Sequence, residues 1–149
     1  MKPLLKLFFG LALSLSALAL SAQEKPNFSG TWELNVEKSN LDGAPLTKLV
    51  VQVDHKDPVL RYTATGTAGG EDFSETETFT TDGKPATDSH GNEMKVHWDG
   101  SSLVFESAGA QGADSGRLTI SSDGKSMTRD YDRKSSDGAQ KRHEICDKR

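Results

Sequence analysis

Asp-Gly pairs divide this chain at short and regular intervals. They stand at 42–43, 82–83, 99–100, 123–124 and 137–138, and Gly69-Gly70 and His90-Gly91 mark two further breaks. Asp-Gly is a preferred centre of a two-residue hairpin turn because both positions tolerate a positive φ. The segments between these breaks have the length of β-strands. The sequence therefore predicts a succession of antiparallel hairpins.

Nine candidate strands lie between the predicted turns. They are 29–36, 46–54, 59–67, 72–81, 94–98, 102–107, 116–121, 126–133 and 140–146, with a short tenth strand near 85–89. Residues 37–43 break the alternation and are expected to form one helical turn or an irregular loop. Residues 108–116, rich in Gly and Ala, are expected to form a long flexible hairpin loop. The pattern predicts an all-β, antiparallel up-and-down meander.

Apolar and polar residues alternate along most of these segments. Leu60, Tyr62 and Ala64, for example, alternate with more polar neighbours. Such alternation is typical of strands with one buried and one solvated face. A single barrel of 8–10 strands satisfies it, and so does a β-sandwich, which stays open as the alternative fold. Along 73–79 the alternation places carboxylates with aromatics on one face, and either face of that strand could point inward.

Residues 1–22 have the composition of a secretory signal peptide. Lys2 and Lys6 give a positive start, an apolar run covers 7–20, and small residues follow at Ser21-Ala22. The run is short for a membrane span, which needs about 20 residues. We expect cleavage after Ala22, with an earlier cut after Ala19 as the alternative. The sequence predicts export to the periplasm or the extracellular space, and one domain over 23–149 without a membrane span.

Charge and cysteine content limit the partners that this chain can have. Its formal charge is −4, and loss of Lys2 and Lys6 with the signal would leave −6. A negative chain is a poor match for nucleic acid, which requires a positive field. Cys146 is the single cysteine, so an internal disulfide is impossible. We expect a monomer, with a dimer linked through Cys146 as the alternative.

The histidines do not form a catalytic or metal-binding pattern. His55, His90, His97 and His143 lie in separate predicted turns and strands, without the spacing that places two imidazoles on one metal ion. Cys146 and His143 lie on opposite faces of one candidate strand, which argues against a nucleophile and base pair. The sequence therefore predicts a protein that is not an enzyme and has neither cofactor nor metal.

The first predicted strand carries a motif of a known superfamily. Phe28-Ser-Gly-Thr-Trp-Glu-Leu resembles the first-strand signature of fatty-acid-binding proteins and the Gly-x-Trp motif of lipocalins, both members of the calycin superfamily. Residues 81–84 and 95–100 are similar to the middle hairpins of the intracellular lipid-binding proteins. The chain also looks like exported bacterial lipocalin-like proteins. The resemblance implies a barrel in which Gly30 and Trp32 are structural, with Trp32 closing one end and Arg142 packing over its ring.

The same resemblance bears on a ligand site. The family's carboxylate-binding Arg-x-Tyr lies on the last strand, where this chain has Glu144 and Cys146, so a fatty-acid-type site is not expected there. One strand earlier, Arg129 and Tyr131 share a face and could hold an anionic group. Alternatively, Arg129 pairs with Glu144 across the strands, or the pair lies outside the barrel.

Two functions remain open at this stage. In the first, the barrel binds a small hydrophobic or amphipathic ligand. Its predicted contacts, chosen by alternation, are Trp98, Tyr62, Phe105, Arg129 and Tyr131. In the second, the protein is an envelope protein–protein interaction module with a filled barrel and no ligand. A sizeable internal cavity would favour the first function, and a packed interior would favour the second.

Overall fold

The computed structural model describes residues 24–149, and the predicted signal peptide at 1–22 lies outside the described residues. Ten strands and one short 3-10 helix, Val36–Lys38, make up the fold. The strands are β1 Gly30–Leu34, β2 Leu46–Lys56, β3 Val59–Ala68, β4 Glu71–Thr80, β5 Ala86–Thr87, β6 Glu93–Asp99, β7 Ser102–Gly109, β8 Gly112–Ile120, β9 Ser126–Ser135 and β10 Gly138–Lys148.

All ten strands belong to one antiparallel sheet. Its order is β4-β3-β2-β1-β10-β9-β8-β7-β6-β5, so β1 pairs with β10 and every other ladder joins strands that follow each other in the chain. The two ends of the sheet meet near β4 and β6, where Asp82 forms an isolated bridge with His97. The sheet is thus a nearly closed barrel, as predicted, and the sandwich alternative is wrong.

The β7–β8 hairpin corrects one expectation. Residues 108–116 do not form a long loop, since β7 runs to Gly109 and β8 begins at Gly112. A Cβ atom on Gly112 would collide with the carbonyl oxygen of Lys134 on β9, and the φ of Gly112 is +138°. Glycine therefore allows close contact between strands here, and the composition that suggested a loop belongs to a tightly paired sheet.

One end of the barrel is closed by the aromatic residues of the first strand and the segment before it. Trp32 is fully buried, and its indole Nε1 donates a hydrogen bond to the carbonyl oxygen of Phe28, at 2.9 Å. Lys148, opposite Trp32 in the β1–β10 ladder, holds its ammonium 5.2 Å from the ring centroid. A Cβ on Gly30 would lie 2.8 Å from Cε of Lys148, so the glycine makes room for this lysine.

The cation over Trp32 is therefore Lys148, and the expectation that Arg142 packs there is wrong. Both residues lie on the last strand, but Arg142 is opposite Tyr131 in the β9–β10 ladder. Its guanidinium stacks on the ring of Tyr131 instead, 4.1 Å from the centroid. Within residues 24–149, no helix has the length and apolar character needed to cross a membrane.

Candidate functional site

A cavity of about 870 Å³ occupies the interior of the barrel. It extends from Phe28 at the closed end to the turns that contain Pro45, Gly91 and Gln111. Ligand pockets in proteins typically measure about 300–1,000 Å³. The cavity is therefore large enough for a small organic molecule, and the interior of this barrel is not filled by side chains.

Apolar side chains form the floor of the cavity near the closed end. They come from strands around the whole barrel, so the floor is continuous. Its members include Phe28, Leu60, Val96, Leu103 and Met127, all of them buried. Transfer of an apolar group from water to such a surface is favourable by about 25 cal/mol per Å². This part of the cavity suits the hydrophobic portion of a ligand.

The wall formed by β9 and β10 is polar and is called the basic wall here. It consists of Arg129 and Tyr131 on β9 and Arg142 and Glu144 on β10, all lining the cavity. The Glu144 side chain is only 1% exposed, and its Oε2 lies 2.9 Å from Nε of Arg129. That Nε–H does not point at Oε2, so the contact is ionic, whereas Nη2 of Arg129 donates a hydrogen bond to Oε1 at 3.2 Å.

Arg142 completes the basic wall from the other side of Glu144. Its Nε lies 3.6 Å from Oε1 of Glu144, too far for a hydrogen bond, and it is buried without a partner. Its guanidinium donates no hydrogen bond to any residue within 24–149, although its side chain is only 15% exposed. Arg142 therefore presents unused hydrogen-bond donors at the cavity.

Tyr131 supports both arginines. The guanidinium of Arg129 lies 5.2 Å from its ring centroid, and that of Arg142 lies at 4.1 Å. Cation–π contacts of this kind are favourable and fix the orientation of the guanidinium. Burial, followed by the nearby Asp114 carboxylate, raises the pKa of the Tyr131 hydroxyl.

The opposite wall, formed by β3 and β4, carries acidic groups and is called the acidic wall here. Tyr62 of β3 is paired with Glu77 of β4, and Glu75 lies two residues earlier; all three line the cavity. Burial, followed by the charge of Glu75, raises the pKa of the Tyr62 hydroxyl, so this phenol stays protonated. The Phe73 and Glu75 face of β4 is thus the inner one.

A short segment, Asp88–Asn92, covers the gap between β4 and β6 and is attached to the acidic wall. Glu77 accepts hydrogen bonds from the amide N–H of Ser89, at 2.9 Å, and from its hydroxyl. His90 Nε2 lies 3.4 Å from Oε2 of Glu75. Asp88 accepts hydrogen bonds from the amides of His90 and Asn92, which fixes the segment internally. The carboxylates of β4 therefore hold this segment in the cavity wall.

Two phenylalanines lie flat against glycines of the neighbouring strands. Phe105 of β7 is opposite Gly116 of β8, and Phe73 of β4 is opposite Gly66 of β3. A Cβ on Gly116 or Gly66 would collide with the facing ring. Both rings line the cavity, and the glycines let them lie close to the backbone. Because glycine has no side chain, Gly66 and Gly116 leave volume available inside the barrel.

Four of the five predicted contact residues line the cavity, namely Tyr62, Phe105, Arg129 and Tyr131. The fifth, Trp98, is not among the lining residues. Its ring lies 6.1 Å from that of Phe28 and 5.8 Å from that of His55, and its Nε1 donates a hydrogen bond to Oδ1 of Asp57 at 2.9 Å. Trp98 therefore belongs to the closed end.

Three further cavity-lining residues, Arg142, Glu144 and Glu77, are not among the ligand contacts predicted from the sequence. The alternation along 140–146 does place Arg142 and Glu144 on one face, and the pairing of Glu144 with Arg129 was one of the alternatives considered. The register between β9 and β10, which alternation does not reveal, brings Arg129, Arg142 and Glu144 together. No group of three or more potential metal ligands occurs in the described part of the chain.

No protein-family model and no curated protein matches this chain. Solved structures do match it. Zebrafish ileal bile acid-binding protein complexed with cholic acid is 15% identical with a TM-score of 0.60, and the match covers 82% of this chain and 98% of that one. The wild-type fluorescent protein UnaG is 15% identical with a TM-score of 0.58, covering 78% and 95%.

A third similar structure is fatty-acid-binding protein 1 of Echinococcus granulosus. It is 10% identical with a TM-score of 0.55, and the match covers 81% of this chain and 96% of that one. At these identities the likeness establishes the fold alone. The barrel is of the type found in fatty-acid-binding proteins.

Proposed function

We propose that this protein is an exported carrier that binds a small, partly apolar molecule inside its barrel. The observation that carries the proposal is the cavity of about 870 Å³, with an apolar floor and two polar walls. A barrel that served only to present an outer surface would gain stability from a packed interior. The cavity therefore favours the carrier over the interaction module.

The arrangement of the walls suggests how such a ligand is oriented. Its apolar portion would contact the floor next to Phe28, and its polar end would approach Arg142 and Tyr131 on the basic wall. Arg129 and Tyr62 would contribute further polar contacts, and Phe105 an apolar one. A few placed polar groups in an otherwise apolar pocket are typical of small-molecule sites.

The similar solved structures support a binding role. The zebrafish protein is named for bile acids and was solved with cholic acid, and the Echinococcus granulosus protein is named for fatty acids. Both ligand types combine a large apolar surface with a polar end. We infer that this chain uses the same barrel for a molecule of comparable size, as a binding protein rather than an enzyme.

A pair of substitutions on adjacent residues tests cavity binding. Ala64→Phe would place a ring inside the barrel, whereas Thr65→Phe would place the same ring on the outer face of β3. With the neutral dye Nile red as probe, we expect fluorescence enhancement with the native protein and Thr65→Phe, and its loss with Ala64→Phe. Equal enhancement with both variants would mean that the dye binds outside the cavity.

Export and oligomeric state are part of the proposal and need a separate test. The signal at 1–22 supports export, and the burial of Cys146 supports a monomer, because a disulfide between two chains would need an accessible thiol. Native mass spectrometry of protein recovered from the cell envelope is expected to show a monomer that begins near residue 23, with a displaceable small-molecule adduct. A full-length intracellular chain would contradict export.

A further inference from the structure

We propose that Glu144 sets the charge of the ligand, so that the cavity takes an uncharged amphipathic molecule with an oxygen acceptor rather than a carboxylate. The inference rests on the proposed function, since it concerns the same cavity. Two of the similar structures are instead named for bile acids or fatty acids.

Glu144 occupies the place that an anionic ligand group would need. Its carboxylate lies between Arg129 and Arg142, with Nε–O distances of 2.9 and 3.6 Å, and its side chain is almost fully buried. The chain thus supplies its own counter-ion to these guanidiniums. A second carboxylate at the same position would be repelled by Glu144 in a medium of low dielectric constant.

The remaining charges of the cavity do not compensate for this repulsion. Five carboxylates and three guanidiniums line the cavity, which gives a formal charge of −2 with His90 neutral. They are Glu75, Glu77, Asp88, Asp114 and Glu144, and Arg129, Arg133 and Arg142. A carboxylate loses its hydration when it enters such a cavity, and only a favourable field can replace it. The net negative charge of this cavity produces an unfavourable field for a second carboxylate.

Hydrogen-bond donors nevertheless remain unused at the basic wall. The guanidinium of Arg142 lies over the ring of Tyr131, 4.1 Å from the centroid, and the carboxylate of Glu144 does not satisfy its Nε. Buried donors without partners are costly, by about 1–3 kcal/mol each. A hydroxyl or carbonyl oxygen of a ligand would accept from Arg142 without bringing in another negative charge.

A cationic ligand fits less well than an uncharged one. Arg142 and Arg129 would repel it at the basic wall, where the carboxylate of Glu144 already lies in ionic contact with both guanidiniums. On the acidic wall, Glu77 is engaged by Ser89, and Glu75 by His90. The geometry therefore favours a neutral polar end at Arg142 and an apolar body on the floor.

The test compares three ligands with the same ten-carbon chain and different ends. Decanol, decanoate and decylamine compete with Nile red at neutral pH, and their dissociation constants are determined. For the native protein, we expect decanol to bind at least about tenfold more tightly than decanoate or decylamine. Tighter binding of decanoate or of decylamine would overturn the inference.

Substitutions then test whether Glu144 is responsible. In Glu144→Gln, the affinity of decanoate relative to decanol is expected to rise about tenfold. Asp132→Asn removes the same charge from the outer face of β9, where Asp132 pairs with Lys141, and is the matched control. An unchanged ratio in Glu144→Gln, or an equal change in Asp132→Asn, would show that Glu144 does not select the ligand.

A further variant covers the case in which Glu144→Gln does not fold. Arg142→Met removes the proposed donors, and we expect it to weaken decanol at least about fivefold relative to Nile red. An undiminished decanol affinity would overturn the role of Arg142. The failure of the proposed function would look different, because Nile red itself would then not bind the native protein in the cavity.

Discussion

Glu144 of β10 and Arg129 of β9 face each other across their ladder, and Oε2 of Glu144 lies 2.9 Å from Nε of Arg129 inside the barrel. The loss of one partner of a buried pair leaves the other charge without compensation, which costs about 3–5 kcal/mol. Since Arg142 also approaches this carboxylate, its removal would affect two guanidiniums.

We therefore expect Glu144→Ala to lower the free energy of unfolding by about 3 kcal/mol. Asp132→Ala removes a carboxylate that is paired with Lys141 on the outer face, and a change within about 0.5 kcal/mol is expected for such an exposed pair. Urea unfolding of the two variants and the native protein measures both effects. Similar losses of unfolding free energy in both variants would show that burial does not determine how much the ion pair contributes to stability.

Gly116 is expected to control the position of Phe105. A methyl group at Gly116 would collide with the Phe105 ring and with the carbonyl oxygen of Asp130, so the ring must move into the cavity. We expect Gly116→Ala to cost about 1–3 kcal/mol of stability and to weaken Nile red binding. Thermal unfolding and dye titration measure these effects.

Gly124 provides the control for Gly116, since no atom lies within 4 Å of a Cβ added there. Its φ of +71° means that Gly124→Ala costs stability through backbone strain alone. That variant is expected to keep the affinity for the dye. Weakened binding in both variants would mean that lost stability, rather than the displaced ring, explains the effect.

Asp57 is expected to make the closed end sensitive to acid. Hydrogen bonds from Thr81 and then from Trp98 lower the pKa of the Asp57 carboxyl from 3.8 to about 2. The depressed pKa means that the carboxylate contributes stability above its ordinary pKa, and that this contribution is lost as pH falls through about 2.

The free energy of unfolding of the native protein and of Asp57→Asn should therefore differ most near neutral pH and converge in acid. Asp137→Asn, in the exposed β9–β10 turn, is the control and should follow the native protein throughout. A constant difference between native protein and Asp57→Asn down to about pH 2 would contradict this assignment.

Cys146 is expected to be unreactive in the native protein. It is 2% exposed, and burial, followed by the charge of Glu144, raises the pKa of its thiol to about 11. Because the thiolate is the reactive form, iodoacetamide should modify Cys146 only after denaturation. Mass spectrometry before and after unfolding checks this, and a disulfide-linked dimer under native conditions would contradict it.

The attachment of Ser89 to Glu77 should protect the Asp88–Asn92 segment. In Glu77→Ala, the amide of Ser89 loses its acceptor, and we expect its hydrogen exchange to accelerate about tenfold or more. Glu71→Ala, at the exposed start of β4, is the matched control. Equal exchange of residues 88–92 in the two variants would show that the carboxylate does not hold the segment.

Alternation predicted which residues share a strand face, but neither the inward face of every strand nor positions along the barrel axis. Alternation selected Tyr62, Phe105, Arg129 and Tyr131 as contacts, with the face of Arg129 and Tyr131 left open, and all four line the cavity. It selected Trp98 as well, yet that ring packs on Phe28 at the closed end. Alternation indicates which residues lie on the same side of the sheet, whereas the position of a side chain along the barrel axis depends on the register of every ladder.

Register also explains the choice of cation over Trp32. Arg142 and Lys148 share one parity on β10, so the sequence alone could not distinguish them. The pairing of Trp32 with Lys148 decides between them, and it depends on a contact between the first strand and the last. The strands within residues 108–116 were not predicted from the sequence. A segment rich in glycine has the composition of a loop even where its glycines allow neighbouring strands to pack closely.

The pairing of β1 with β10 has a consequence for how the chain acquires its shape. Every other ladder can form between neighbours in sequence, but this one must join strands more than a hundred residues apart. Local hairpins form in microseconds, whereas the search for a distant partner pays a larger entropy cost. Before β10 pairs with β1, the indole of Trp32 lacks its neighbour Lys148, and the unpaired edge of β1 is accessible to other chains. We therefore expect the pairing of the last strand to complete folding and to end the period in which that edge can aggregate.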